Sequence, residues 1–322
     1  MKKRTCYPLL ALALVLLPDI AAASPSGAEA CAAQSPAAAE AIKRRVSVAL
    51  YYELKLAIAG GSVYEWRANA PPRKVASDAR HVAVSASHGH LIDGNNRVWH
   101  WSAGSVKTAP VLENVAYVAA GDSGMLAIRC DGSLWRSKAG GRDWMRAADT
   151  AIHAWVGDSA DYYIDEKWHL HVTGKAHRGQ YGNGLLKESN SWVVVANDAV
   201  AVYSHTGHAV YLRRDGAVMG TGGNRNGPLG THGYGDKAIR WGVIFEGASR
   251  LGTGSSHSMA VRRDGSLWGW GSRDGLQPKL LLADVIAATG GDSETLAMTS
   301  NETVWNWRVG SSPIKVDFLR NN

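Results

Sequence analysis

The side chains of this 322-residue chain best suited by type to do chemistry are its twelve histidines. His88-Gly-His90 and His169-Leu-His171 put both rings of each pair on one face of a strand, a spacing at which two imidazoles can share a metal ion. No Asp, Glu or Cys partner is indicated beside either pair, so neither a metal nor any other cofactor is expected. Gly121-Asp122-Ser123-Gly124 spells part of a serine-protease nucleophile motif, but Gly157-Asp158-Ser159 and Gly291-Asp292-Ser293 echo it. A catalytic serine is not expected in triplicate. The glycine-rich run 220–230 lacks the Gly-Lys-Ser/Thr ending and the following helix of a phosphate loop. Paired carboxylates do not stand out, and no catalytic residue is assigned.

What multiplies these motifs is a repeat. HSMAVRRDGSLWGWG (257–271) has a near copy 49 residues upstream, HAVYLRRDGAVMGTG (208–222). Taking Trp268 as the marker, seven related segments place Tyr64, Trp99, Trp135, His171, Met219, Trp268 and Trp305 in one column, at gaps of 35, 36, 36, 48, 49 and 37 residues. Two residues further on stand Trp66, Trp101, Ser137, Thr173, Thr221, Trp270 and Trp307. Eight of the thirteen tryptophans fall in these two columns, so the tryptophan excess belongs to the repeat. His88, His208 and His257 share a third column, where a structural hydrogen bond within each unit is the expected role.

Each unit follows one grammar. A strand of small residues, such as 115–121 (VAYVAAG), precedes an alternating strand such as 257–261 (HSMAV). A turn follows, often Asp-Gly (131–132, 215–216, 264–265), read as a two-residue hairpin with positive φ at both positions. A return strand and a last strand after a proline (72–75, 278–282, 313–319) complete the unit. Four antiparallel strands, seven times, predict an all-β fold, a seven-bladed β-propeller. Stacking then covers blade faces that a lone sheet leaves bare. The first strand is placed at 46–50, so blades are contiguous and the ring spans 46–322. Residues 24–45, rich in Ala, Ser and Pro, form a tail or a short helix outside it.

AAGDSGMLAIRCDGSLW (119–135) and TGSSHSMAVRRDGSLWGWG (253–271) resemble the repeats of the regulator of chromosome condensation family, and GKAHRGQYGNG (174–184) and GGNRNGPLG (222–230) match that family's loop. The resemblance covers roughly residues 46–319. Most units here are shorter than those of the eukaryotic exchange factors, and no insertion forms their extra wedge. Short blades on an exported chain are closer to the secreted β-lactamase inhibitory proteins built from such repeats. Fold resemblance confers neither activity.

A basic start (Lys2, Lys3, Arg4), an apolar run from Pro8 to Leu17 and Ala21-Ala22-Ala23 read as a signal peptide over 1–23. Export to the periplasm or beyond is expected, and no stretch is long enough to span a bilayer. Removing the signal lowers the net charge from +7 to +5, a mild excess that gives no reason to expect nucleic acid. Cys31 and Cys130 remain. They either pair, closing a loop worth up to ~4.7 kcal/mol, or stay free.

Surface loops therefore carry the functional expectation. Loops 174–190 and 222–240 are placed on one face and offer Lys175, His177, Arg178, Tyr181, Asn224, Arg225, His232 and Tyr234, and Trp144 is a further exposed anchor. Tyr and Arg dominate protein interfaces. The expectation is a monomeric, non-catalytic propeller binding a protein partner by one face. Alternatives are an inhibitor of a secreted or periplasmic enzyme such as a β-lactamase, and an effector stimulating guanine nucleotide exchange on a host small GTPase.

Overall fold

The structure, a computed structural model, describes residues 31–318 apart from 44, 69, 87, 103–109, 139, 140, 233 and 234. The expected signal peptide (1–23) lies outside the described residues, as do Tyr234 and Leu319.

Seven four-stranded antiparallel sheets follow one another along the chain, each made of consecutive strands. They span 48–77, 79–112, 115–148, 153–196, 199–245, 248–282 and 285–315. Every marker residue lies in the third strand of a different blade. Inner strands contact those of the next blade around the ring, and Val48–Tyr51 of the first blade meets Val285–Gly290 of the last. The chain is a closed seven-bladed propeller. The first strand begins two residues later than expected because Arg45 and Val46 turn inward to make side-chain and backbone bonds of their own.

The core is not one mass but seven apolar clusters, one between each pair of neighbouring blades. The cluster joining the last blade to the first contains Val48, Leu50, Ala57 and Trp66 with Leu296, Met298 and Val304. Every blade thus buries both faces against neighbours, as a repeat that cannot stand alone must.

The two tryptophan columns divide the labour. Three of the four marker-column indoles tie down the preceding hairpin turn: Trp99 Nε1 donates to Asp93 Oδ2 at 2.8 Å, Trp135 Nε1 to Ser133 Oγ at 2.8 Å and Trp268 Nε1 to Ser266 Oγ at 3.0 Å. Indoles two residues on are buried and reach the previous blade. Trp101 Nε1 donates to Glu65 Oε2 at 2.6 Å, and Trp270 Nε1 to the Pro228 carbonyl at 2.9 Å.

The Asp-Gly turns differ from the sequence expectation. Gly132, Gly216 and Gly265 have φ of 86°, 92° and 82°, but no preceding Asp has a positive φ. Arg129 N to Ser133 O and Gly132 N to Arg129 O define a three-residue loop with only the glycine left-handed. The reason lies in the Asp side chain, which caps the turn instead: Asp131 Oδ1 accepts from Ser133 N at 2.9 Å, and Asp264 Oδ1 from Ser266 N at 2.9 Å.

Among the described residues ahead of the ring stands a short helix, one of the two alternatives the sequence offered. The helix Pro36–Lys43 buries Ala37, Ala38 and Ala41 against the third and fourth blades. Cys31 is disulfide-bonded to Cys130, with Cα atoms 4.8 Å apart and a sequence separation of 99. Arg45 then enters the ring, donating to the Ala116 carbonyl at 2.7 Å and to Asn96 Oδ1 at 2.8 Å.

Candidate functional site

The fold sorts its loops onto two faces. Turns between second and third strands, with the helix Pro36–Lys43, form one; the ends of the inner strands and the loops from third to fourth strands form the other, called here the exit face. Between them runs a central channel of about 810 Å³.

Charged residues gather at both mouths. Arg45, Arg250, Arg262 and Arg263 line the turn-face end together with Asp264 and Asp284. Burial, aided by Arg80, lowers the Arg45 pKa to about 10. At the exit face the three recurrent Gly-Asp-Ser segments turn from inner to second strand in the third, fourth and seventh blades, which brings Asp122, Asp158 and Asp292 around one opening. Their repetition is architectural at first sight: Asp122 Oδ1 accepts from Ala86 N of the neighbouring blade at 3.1 Å.

Asp158 does more. Its Oδ1 accepts from the Tyr51 hydroxyl at 2.7 Å, across the mouth from the first blade. Its Oδ2 accepts from Thr206 N at 3.1 Å and Thr206 Oγ1 at 3.2 Å. Tyr51 stacks on His205 at 5.4 Å, and His205 Nδ1 meets Thr206 Oγ1 at 2.8 Å. The bridge Tyr51–Asp158–Thr206–His205 therefore spans the opening. Burial and the Asp158 carboxylate push the Tyr51 hydroxyl pKa well above its usual value, so it stays a donor. Burial lowers the His205 pKa against the pull of Asp158, Asp292 and Asp122, leaving a neutral ring. Its Nε2 is buried, without a hydrogen-bond partner, in the channel lining.

Thr206 holds a φ of 41°, a left-handed conformation that a β-branched residue adopts only under strain. Such strain costs of order 1–3 kcal/mol and persists where surroundings impose it. Here Asp158 grips its N–H and hydroxyl, and Arg178 Nη1 its carbonyl at 3.0 Å.

Arg178 belongs to loop 175–188, so the loop is anchored to the mouth. That loop lies over the next blade: Gly184 N donates to the Ile239 carbonyl at 2.7 Å and Thr221 Oγ1 to the Gly179 carbonyl at 2.9 Å. Loop 224–236 repeats the pattern one blade on, with Trp270 holding Pro228. Both loops share the exit face. Lys175, His177, Arg178 and Arg225 are exposed there. Arg225 lines a recess with Asn226, Ser272 and Leu276. Tyr52, Leu185, Leu186 and Leu276 add exposed apolar surface.

Three residues singled out from the sequence are placed differently. Tyr181 is 1% exposed, its hydroxyl donating to the Gly174 carbonyl and accepting from Ser189 N; the ring is an internal post for loop 175–188. Asn224 is buried, Oδ1 accepting from Leu229 N at 2.9 Å. Half-buried Trp144 packs between the second and third blades, on an outer strand and away from both loops. His232 is partly buried, Nε2 against the Arg240 carbonyl at 3.2 Å.

Two of the three histidines in the shared column are internal, while His88 is half-buried and stacks on His100. His208 and His257 lie buried between blades, Nε2 facing Ser258 Oγ at 3.4 Å and Thr295 Oγ1 at 3.2 Å respectively. His81, which sequence reasoning passed over, accepts from Val46 N at Nδ1 (2.9 Å) and donates from Nε2 to the Val118 carbonyl (2.7 Å), linking three successive segments. The Tyr51–Asp158–His205 bridge was equally hidden, because its partners lie far apart in sequence and meet only when the ring closes.

No protein-family model matches the chain, and no curated protein matches it in sequence. Solved structures are similar in fold. Prp20p from Saccharomyces cerevisiae, described with its binding properties to Gsp1p and histones, aligns at a TM-score of 0.65 and 14% identity, over 78% of this chain and 81% of that one. Human WBSCR16 aligns at 0.66 and 13%, covering 77% of this chain and 84% of that chain. The CRINKLY WD40 ectodomain of the Arabidopsis thaliana receptor kinase ACR4 aligns at 0.58 and 10%, covering 84% and 98%. Prp20 is the yeast RCC1 protein, so the architecture is a propeller of RCC1-repeat type.

Proposed function

We propose that this RCC1-type propeller is an exported, non-catalytic binding protein whose exit face engages a protein partner. One observation carries the reading. The described parts of loops 175–188 and 224–236 lie on that face, the first pinned to the channel mouth through Arg178 and Thr206 and carrying exposed Leu185 and Leu186, and the same face exposes Tyr52 and Leu276. Rigid loops that mix apolar groups with arginine suit a hot spot, since little entropy is lost on docking. Prp20p, similar in fold, has binding properties toward two kinds of protein, Gsp1p and histones. Export rests on the basic and apolar start of the sequence.

The acidic mouth adds a preference of charge. Asp122, Asp158 and Asp292 together favour a partner that brings a basic side chain to the opening. The test is capture of partners by the mature protein and by two variants. Leu185→Asp with Arg225→Ala alters the face. Met145→Asp changes an exposed residue on an outer strand of the third blade. Capture lost in the first and kept in the second supports the reading; equal capture by all three contradicts it.

A further inference from the structure

The second and fourth blades build one hairpin turn with different side chains. In the second blade Asp93 ends the second strand. Its Oδ1 accepts from Asn95 N at 3.0 Å and Arg97 N at 2.9 Å, and its Oδ2 from Arg97 Nε at 2.9 Å and Trp99 Nε1 at 2.8 Å. In the fourth blade Asp165 takes the same place. Its Oδ1 accepts from Lys167 N and His169 N, both at 2.9 Å. Its Oδ2 faces His169 Nδ1 at 3.1 Å and His171 Nε2 at 3.0 Å. Arg97 and Trp99 can only donate protons. Both replacements are imidazoles, which can exchange a proton for a metal ion.

We propose that Asp165, His169 and His171 form a Zn²⁺ site on the turn face of the fourth blade. All three ligand atoms lie within 4.8 Å of one another. Tetrahedral Zn²⁺ with bonds of about 2.0–2.1 Å sets its ligand atoms about 3.3 Å apart. The 3.0 and 3.1 Å separations of the carboxylate oxygen from the two imidazoles are close to that spacing, and the ring nitrogens, within 4.8 Å of each other, must draw together to complete it. One carboxylate with two imidazoles suits Zn²⁺, and leaves a fourth position for water.

Supports for the ligands are in place. Tyr163 stacks flat on His171, centroids 4.2 Å apart and planes 6° from parallel, and Trp192 meets Tyr163 edge-on at 4.7 Å. Asp165 is locked by its two backbone bonds. His171 and Asp165 are largely buried, with side chains 14% and 16% exposed, while His169 at 37% opens the site to solvent. An ion can therefore enter without unfolding the turn. Sequence alone paired the two histidines but not the carboxylate, which stands four residues ahead of His169 and reaches it only through the turn.

The other histidine cluster lacks these features. His90 Nδ1 sits 3.3 Å from His100 Nδ1 and His88 stacks on His100, with His90 wholly buried. It serves as the internal control.

The experiment uses tag-free mature protein, stripped with chelator and titrated with Zn²⁺ by calorimetry; Co²⁺ is then added as a spectroscopic substitute. The proposal predicts one equivalent bound, a rise in Tm on adding Zn²⁺, and visible Co²⁺ absorption of a four-coordinate site. His169→Gln and His171→Gln should each weaken binding at least tenfold, while keeping the circular dichroism of the wild type. Asp165→Asn should do the same, and should it misfold, the two histidine variants decide. His100→Gln should bind as the wild type does. Absence of binding at micromolar Zn²⁺ would overturn the proposal. So would unchanged binding by both Gln variants, or loss of binding in His100→Gln.

Discussion

Lys55 Nζ lies 2.6 Å from Glu294 Oε2, joining the second strand of the first blade to the second strand of the last. The lysine side chain is wholly buried and the glutamate 23% exposed, so this ion pair sits inside the seam where the ring closes. Breaking a buried pair leaves an uncompensated charge, and costs about 3–5 kcal/mol. Glu294→Ala strands the buried ammonium and should lose that much. Lys55→Met leaves only a carboxylate that water can reach, and should lose less. Denaturant unfolding of both variants checks the order; equal and negligible losses would mean the pair does not hold the seam.

The Cys31–Cys130 bond ties the helix Pro36–Lys43 and the chain ahead of the ring to the third blade. A closed loop of this length restricts the unfolded chain, and removing such a bond typically costs about 2–5 kcal/mol. Cys31→Ser with Cys130→Ser should lower the free energy of unfolding by that amount without opening the ring. Wild-type protein held in reductant should match the double variant, and a difference between them would locate the effect in the serines.

Acid should destabilise the protein through its buried histidines. Burial lowers His81, His208 and His257 to about 3 from 6.5. The unfolded chain then binds more protons than the folded one at any pH between these values, so stability falls as pH drops from 6.5 toward 3. Asp161, raised to about 6 by burial, works the other way, since the folded state takes up its proton first. Burial raises Asp274 as well, but it also lowers His90 and His205, so the histidines outnumber the carboxyls. Tm measured from pH 7.5 to 4.5 should decline below about pH 6.5, and a flat profile would contradict buried neutral rings.

Much of the fold was legible in the sequence because the constraint repeats. Trp135 and Trp268 recur where an indole must reach its hairpin turn, and Trp101 and Trp270 where one must bridge blades. The turn geometry was misread at Asp131 and Asp264, because the Asx cap depends on where the side chain points and not on the Asp-Gly dipeptide. The mouth was less legible. Asp158 was visible only as one of three echoes, and its bonds to Tyr51 and Thr206 cross 107 and 48 residues. Exposure was hardest of all: Tyr181 and Arg178 stand three residues apart in one loop, yet the first is its internal post and the second its anchor to the mouth.

Loop anchoring makes its own prediction. Arg178→Ala removes the side chain that holds the Thr206 carbonyl and covers Gly207. Thr206 should then relax, and backbone amides of 204–207 and 175–182 should exchange hydrogen faster, with global stability falling by only about 1 kcal/mol. Exchange unchanged in both segments would show that the loop is held without this contact.

The central claim is that the exit face binds a protein. It is tested most directly by measuring the affinity of a captured partner for wild-type protein, for Leu185→Asp with Arg225→Ala, and for Met145→Asp. The account predicts at least a tenfold weaker complex for the first variant and no change for the second. An unchanged affinity for the exit-face variant, or weakening by Met145→Asp alone, would contradict it.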